Sequence, residues 1–224
     1  MEIIWHGHSC FEVVENDYHV VIDPFEPGSC GTAFPPLNLE ADEVLVSHEH
    51  RDHNCREAVK LRTGRKSPFT VKTFETYHDP LKGRLRGMNT VHELECDGFR
   101  VVHLGDLGVG LQPEVLEAVK GCDVLMIPTG GILTIEPEAA FYLTEKIMPR
   151  VAIPMHFKVE GHSNWRLRTR ELYASAFTEI PILPLREYDS NRLTVSKDTE
   201  PHVALLKTPE WKTEVPSKIG RLSV

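Results

Sequence analysis

Residues 47 to 53 read SHEHRDH, three histidines and two acids within seven positions. Imidazole and carboxylate are the donors that suit zinc and related divalent cations. The chemistry open to such a cluster is metal chemistry, in which a bound cation acidifies water and polarises the oxygen of a group under attack. The preceding run EVLVS reads as a buried strand, and an extended chain turns alternate side chains to one side. His48, His50 and Asp52 would then share a side, with an acid-imidazole pair, Asp52 and His53, at the bend that follows. A solvated polar loop is the competing reading, but such loops seldom contain three histidines in six residues.

Other strand-like runs also finish in a donor. TVKTF leads to Tyr77 and His78, FRVVHLG to Asp106, and RVAIPM to His156. In α/β sheets, ligands and chemistry collect where the carboxyl ends of strands meet. Four strand ends would thus deliver seven donors: His48, His50, Asp52, His53, His78, Asp106 and His156. Zinc is the first expectation for this set, and manganese and iron accept the same donors.

The elements that must position these residues are short apolar runs bounded by turn residues. Strands are expected at 2–5, 10–14, 19–23, 43–47, 70–74, 99–105, 122–128, 150–155, 180–185 and 192–195, all rich in Val and Ile. Helical patterns fall at 55–62, 113–120, 137–148 and 164–177, the last behind the candidate caps Ser163 and Asn164. Strands dominate the first third and helices alternate with strands afterwards, which implies sheets covered by helices. The Pro/Gly-rich stretch at 24–36 reads as a long loop, and no linker or repeat divides residues 1–224 into more than one domain.

Composition narrows the function classes. A hydrophobic fraction of 41% and a charged fraction of 26% are those of a soluble globular chain, and no apolar run approaches the roughly 18 residues of a membrane span. The N-terminus lacks a basic leader, so a cytoplasmic protein without membrane association is expected. A formal net charge of −8 disfavours nonspecific binding to nucleic acid. The cysteines, Cys10, Cys30, Cys55, Cys96 and Cys122, are odd in number and never paired as C-x-x-C, which argues against a disulfide framework or a cysteine zinc site.

The run His48, His50, Asp52, His53 matches H-x-H-x-D-H, and His78, the pair Gly105–Asp106 and His156 follow in order. In these features the chain resembles the metallo-β-lactamase superfamily over residues 2 to 196. The resemblance implies an αββα four-layer sandwich, two sheets face to face with helices outside. It also implies two divalent cations, one held by His48, His50 and His78, the other by Asp52, His53 and His156, with Asp106 between them. The opening G-H-S (Gly7, His8, Ser9), the I-D-P at 22–24 and PTGG at 128–131 are similar to a branch of small bacterial hydrolases that includes ascorbate-6-phosphate lactonase.

Several further residues bear on the site. His8 would orient substrate or donate a proton, and Asp23 would hydrogen-bond a ligand imidazole. Asp79 is read as either a partner of His78 or a cap, and His103 as a buried supporting residue. Lys82, Arg84 and Arg86 form a basic patch in an acidic chain, and Arg86, beside the flexible Gly87, is the candidate to fork around a substrate anion. Lys158 is a second candidate for that role. The expected activity is metal-dependent hydrolysis of a small anionic ester, lactone or phosphodiester by a hydroxide shared between the two ions, with Asp52, Asp106 and His8 as catalytic residues. The alternatives are a nuclease, which would need a wider basic groove, and a non-catalytic metal-binding module. The apolar tail fragments HVALLK and EW suggest packing on a neighbouring copy as a homo-oligomer.

Overall fold

In the computed structural model, which describes residues 1–29, 33–162 and 166–210, the apolar runs become strands whose alternate side chains serve two different cores. A five-stranded sheet is ordered β13-β1-β2-β3-β5, from β1 (Glu2–Gly7), β2 (Cys10–Glu15), β3 (Tyr18–Ile22), β5 (Glu43–Leu45) and β13 (Arg192–Thr194). A seven-stranded sheet is ordered β12-β14-β11-β10-β9-β8-β7, from β7 (Thr70–Tyr77), β8 (Met88–Cys96), β9 (Phe99–His103), β10 (Val124–Pro128), β11 (Val151–Met155), β12 (Leu185–Glu187) and β14 (His202–Leu205). On β10, Val124 and Met126 face the core shared with Ile3, Trp5, Phe11 and Val13 of the first sheet. Leu125 and Ile127 face the opposite way, onto helices α1 (Pro113–Val119), α2 (Pro137–Ile147) and α3 (Arg170–Glu179). The period-2 alternation is what lets one strand line both cores.

Several expected elements are corrected. Residues 55–62 do not form a helix: a single 3-10 turn, Arg56–Ala58, passes into β6 (Val59–Leu61), which pairs in parallel with β4 (Leu39–Ala41). Val59 is buried while Lys60 and Leu61 are exposed, so the run gives too few apolar positions for a helix face, and strand pairing takes its backbone groups. The helix expected over 164–177 begins at Arg170 behind Thr169, and Ser163 and Asn164 lie outside the described residues. The strand expected at 180–185 is confined to Leu185–Glu187, because prolines at 181 and 184 interrupt the ladder before it. Besides β4 and β6, two further strands were not expected. β8 is hidden by its polar residues, and β14, the HVALLK fragment, sits inside the seven-stranded sheet and is buried rather than free to meet a neighbour. Trp211 of the EW fragment and Cys30 lie outside the described residues. No helix among the described residues is long and apolar enough to cross a membrane.

Candidate metal centre

β1, β3 and β5 run in one direction in the first sheet, and β7, β9, β10 and β11 run in one direction in the second. Their carboxyl ends supply His8 after β1, Asp23 after β3, residues 47–53 after β5, His78 after β7, Asp106 after β9 and His156 after β11. The 47–53 segment is not extended. β5 stops at Leu45, Ser47 N donates to Asp23 Oδ1 at 2.6 Å instead of continuing the ladder, and His53 N closes a turn on His50 O at 2.9 Å. The simple alternation of His48, His50 and Asp52 therefore fails. The turn instead divides the segment, sending His48 and His50 to one donor group and Asp52 and His53 to an adjoining one.

Those groups are His48, His50 and His78 on one side, and His8, Asp52, His53 and His156 on the other. Within each, one donor atom per residue lies within 4.8 Å of all the others. Asp106 stands between them: its Oδ1 is 3.2 Å from His53 Nε2, and its Oδ2 is 3.2 Å from His156 Nε2, 3.5 Å from His78 Nε2 and 3.9 Å from His48 Nε2. The seven donors expected from sequence are thus gathered in one place, and His8 joins them. His48 Nε2, His53 Nε2, both ring nitrogens of His156, Asp52 Oδ1 and Asp106 Oδ1 are buried with no hydrogen-bond partner. A buried unsatisfied polar atom costs about 1–3 kcal/mol. So many facing one another, all of the nitrogen and oxygen type, fit divalent cations held between them.

Supporting hydrogen bonds fix which ring nitrogen faces the centre. The Asp23 carboxylate accepts Ser47 Oγ at 2.6 Å and His53 Nδ1 at 2.8 Å, leaving His53 Nε2 to face Asp106. Ser47 Oγ, having given its proton to Asp23, accepts from His48 Nδ1 at 3.0 Å, which bares His48 Nε2. Such outer partners orient ligand imidazoles and raise their basicity. Asn89, buried in β8, accepts Asp106 N on Oδ1 at 2.8 Å and donates Nδ2 to Thr76 Oγ1 and Leu104 O. His103, as expected a buried support, donates Nε2 to Ser9 O at 2.9 Å and accepts Gly105 N on Nδ1 at 3.1 Å, tying the His8 turn to the Asp106 loop.

The charges follow from this packing. Burial, with His156 adding to it, lowers His8 to about 4, and burial beside His53 lowers His48 to about 3, so both rings are neutral lone-pair donors near neutrality. Burial opposes charge on His53, but the Asp106 and Asp23 carboxylates outweigh it and hold the ring well above its ordinary value. Burial would raise Asp52, yet the His8 hydrogen bond and the His53 charge keep its carboxyl ionised well below the usual range.

The centre opens on a cavity of about 400 Å³ lined in part by His48, His50, Arg86, Met88 and Thr90. Arg86 lies on its wall, donating Nε to His78 O at 3.3 Å and Nη2 to Ile132 O at 3.4 Å. Lys158 does not line this cavity: it borders a different one with Thr169 and Glu171, and its ammonium lies 3.3 Å from Glu160. Asp79 is a cap, its carboxylate accepting the backbone N–H of Leu81, Leu85 and Arg86.

Asn89, His92 and the close packing of three glycines escaped sequence reading. His92 donates Nε2 to Val46 O at 3.0 Å, just before the metal-ligand segment. A Cβ on Gly108 would fall 2.1 Å from His78 O, on Gly130 1.9 Å from His156 O, and on Gly105 2.3 Å from Asn89 Oδ1. The available signals were an asparagine inside a β-branched run and the PTGG motif, whose first glycine lets the chain press on the His156 carbonyl. Three non-glycine residues at the centre, His8, Asp23 and His156, have φ of 50°, 52° and 52°, a left-handed backbone that side chains disfavour.

A family model described as a β-lactamase superfamily domain matches residues 2–156. A protein from Thermoplasma acidophilum named as a UPF0173 metal-dependent hydrolase is 28% identical over 189 residues, covering 70% of this chain and 83% of that protein. A UPF0173 metal-dependent hydrolase from Thermococcus onnurineus is 30% identical over 185 residues, covering 67% and 82%. Among solved structures, a candidate Zn-dependent hydrolase of the metallo-β-lactamase superfamily from Thermotoga maritima has a TM-score of 0.71 at 30% identity, over 93% of this chain and 99% of that one. A metallo hydrolase from Ignicoccus hospitalis has a TM-score of 0.63 at 16% identity, over 94% and 99%, a likeness of fold alone.

Proposed function

The chain belongs to the metallo-β-lactamase superfamily of metal-dependent hydrolases, and from that premise we propose that it cleaves a small anionic ester, lactone or phosphodiester at the centre around Asp106. The observation that carries this reading is the convergence of two donor groups on one buried carboxylate beside a cavity of about 400 Å³. That volume suits a small molecule.

His48, His50 and His78 would hold one divalent cation and Asp52, His53 and His156 the other, with Asp106 shared between them. A bound pair lowers the pKa of water from about 15.7 toward 7 and withdraws electrons from the oxygen of the scissile group. The rest is done by the chain. Asp23, through its bonds to Ser47 and His53, keeps the Nε2 atoms of His48 and His53 aimed inward. Asp52, kept ionised, supplies a fixed negative charge to the donor group it shares with His53 and His156. Arg86 supplies positive charge to the cavity wall and turns the anionic part of the substrate toward His50.

Cavity size and the acidic net charge support a small substrate over a nucleic acid. The test is a panel of lactones, phosphodiesters and short RNA, assayed with zinc- and manganese-loaded protein alongside Asp52→Ala. Turnover of a small ester that is abolished by chelation and by Asp52→Ala is expected. Cleavage of RNA alone would replace this reading with a nuclease, and loss of neither metal nor rate on chelation would end it.

A further inference from the structure

His8 occupies a place that hairpin chemistry would give to another residue. β1 and β2 pair through Gly7 and Cys10, leaving His8 and Ser9 as a two-residue turn. Positive φ occurs at His8 and not at Ser9, the pattern in which the first central position favours glycine. Turn tips usually face water, yet His8 is 2% exposed. Its carbonyl accepts Trp5 Nε1 at 3.0 Å and His156 N at 3.3 Å, so the turn is clamped to the strand end that presents His156. A disfavoured conformation held this firmly in a buried position is the mark of a functional constraint.

The side chain gives the constraint a content. His8 Nε2 lies 3.3 Å from Asp52 Oδ2, its ring centroid is 4.2 Å from that of His156 and 5.2 Å from that of His53, and its Nδ1 is buried without a hydrogen-bond partner. Phe34 covers it from 5.9 Å. A general acid must reach the substrate, but His8 does not line the open cavity. One of its ring nitrogens does lie within 4.8 Å of the donor atoms of Asp52, His53 and His156, a spread that bonds of about 2 Å to a common ion span with small side-chain shifts.

Resting on the reading of the centre as a metal site, we infer that His8 is itself a ligand. It completes a four-donor cradle with Asp52, His53 and His156, so that the two cation positions are unequal. All four of those residues are buried, whereas the other group includes the half-buried His50 at the cavity. The cradle cation would be retained and exchange slowly. The cation at His48, His50 and His78 would exchange readily and face the substrate. Closed, fully liganded sites hold structural metals and open ones do catalysis, and here both would stand side by side.

The test uses the full chain, stripped by chelator and reloaded with cobalt(II) alone. Wild-type protein should take two equivalents, and a competing chelator should remove them in two phases, one at least about tenfold slower. Proton NMR of the loaded protein should show a hyperfine-shifted His8 ring signal that His8→Asn and His8→Gln lose, with the slow phase accelerated. Asparagine tolerates the left-handed backbone, and the chelator phases of the wild type need no variant at all. Two bound cobalt ions leaving in a single phase, or the same set of shifted imidazole signals in His8→Asn, would reduce His8 to a hydrogen-bond partner of Asp52 and overturn the inference while leaving the hydrolase reading intact. No cobalt bound by wild type would overturn both.

Discussion

Asp23 Oδ2 lies 2.8 Å from His53 Nδ1, and the same carboxylate takes both the backbone N–H and the hydroxyl of Ser47 at 2.6 Å. One acid, fully buried, therefore fixes two imidazoles of the centre, His53 directly and His48 through Ser47. Asp23→Asn should lower metal affinity by about 10- to 100-fold, the usual cost of losing an outer partner. Competition with a chromophoric chelator measures it. Wild-type affinity in this variant would remove the orienting role.

Gly130 and Gly110 make a steric contrast that isolates the approach to His156. A Cβ at Gly130 would meet the His156 carbonyl oxygen at 1.9 Å, backbone that cannot swing aside, while a Cβ at Gly110 meets nothing within 4 Å. Gly130→Ala should destabilise the fold by about 1–3 kcal/mol and reduce bound metal. Gly110→Ala should leave both unchanged or stabilise slightly, by up to about 1 kcal/mol. Thermal melts with metal analysis decide, and equal behaviour of the two variants would refute the packing argument.

Arg86 has two tasks that kinetics can separate. Its guanidinium supports the His78 carbonyl and also lends charge to the cavity. Arg86→Ala should raise KM for an anionic ester about tenfold, one hydrogen-bonded charge contact's worth, and leave KM for a neutral ester near wild type. Equal losses on both substrates would confine the residue to its support of His78.

Acid stability should report on Asp123, the residue just before β10. Burial alone would raise its carboxyl, but the Arg100 N–H, Lys197 and Arg150 outweigh burial and hold it below the ordinary range. The folded form then keeps its charge at a pH where the unfolded chain takes up a proton. The stabilisation is complete above about pH 4 and is lost as pH falls through the lower folded value. Asp123→Asn should cost about 1–3 kcal/mol at pH 7, the price of disturbing a buried hydrogen-bonded carboxylate, and this difference should shrink toward pH 3. Urea unfolding across that range tests it. A gap that stays constant with pH would contradict the sign.

How far the centre could be read from sequence depended on whether its logic was local. His48, His50, Asp52 and His53 are close in the chain, and His78, Asp106 and His156 each end a recognisable apolar run, so their meeting was legible. The way they meet was not. The alternation expected for 47–53 gave way because Asp23, twenty-four residues earlier, takes Ser47 N. β8 stayed hidden because Asn89, His92 and Glu93, polar residues that dilute its apolar pattern, are buried with partners on other elements. The helix expected at 55–62 failed for the converse reason: a tertiary partner, β4, claimed a segment whose local pattern pointed elsewhere. Lys158 looked suitable by its nearness to His156 in sequence, but two residues of separation set its side chain at another cavity.

The left-handed backbone at His8, Asp23 and His156 sets stability and activity against each other. Each conformation costs roughly 1–2 kcal/mol for a residue with a side chain. A lineage relieved of its chemistry and selected only for endurance would drift toward glycine at these corners. Natural variants carrying glycine at positions 8 and 156, where ring nitrogens lack hydrogen-bond partners, should be sturdier and inert, which would make two backbone angles a way to tell working members from retired ones.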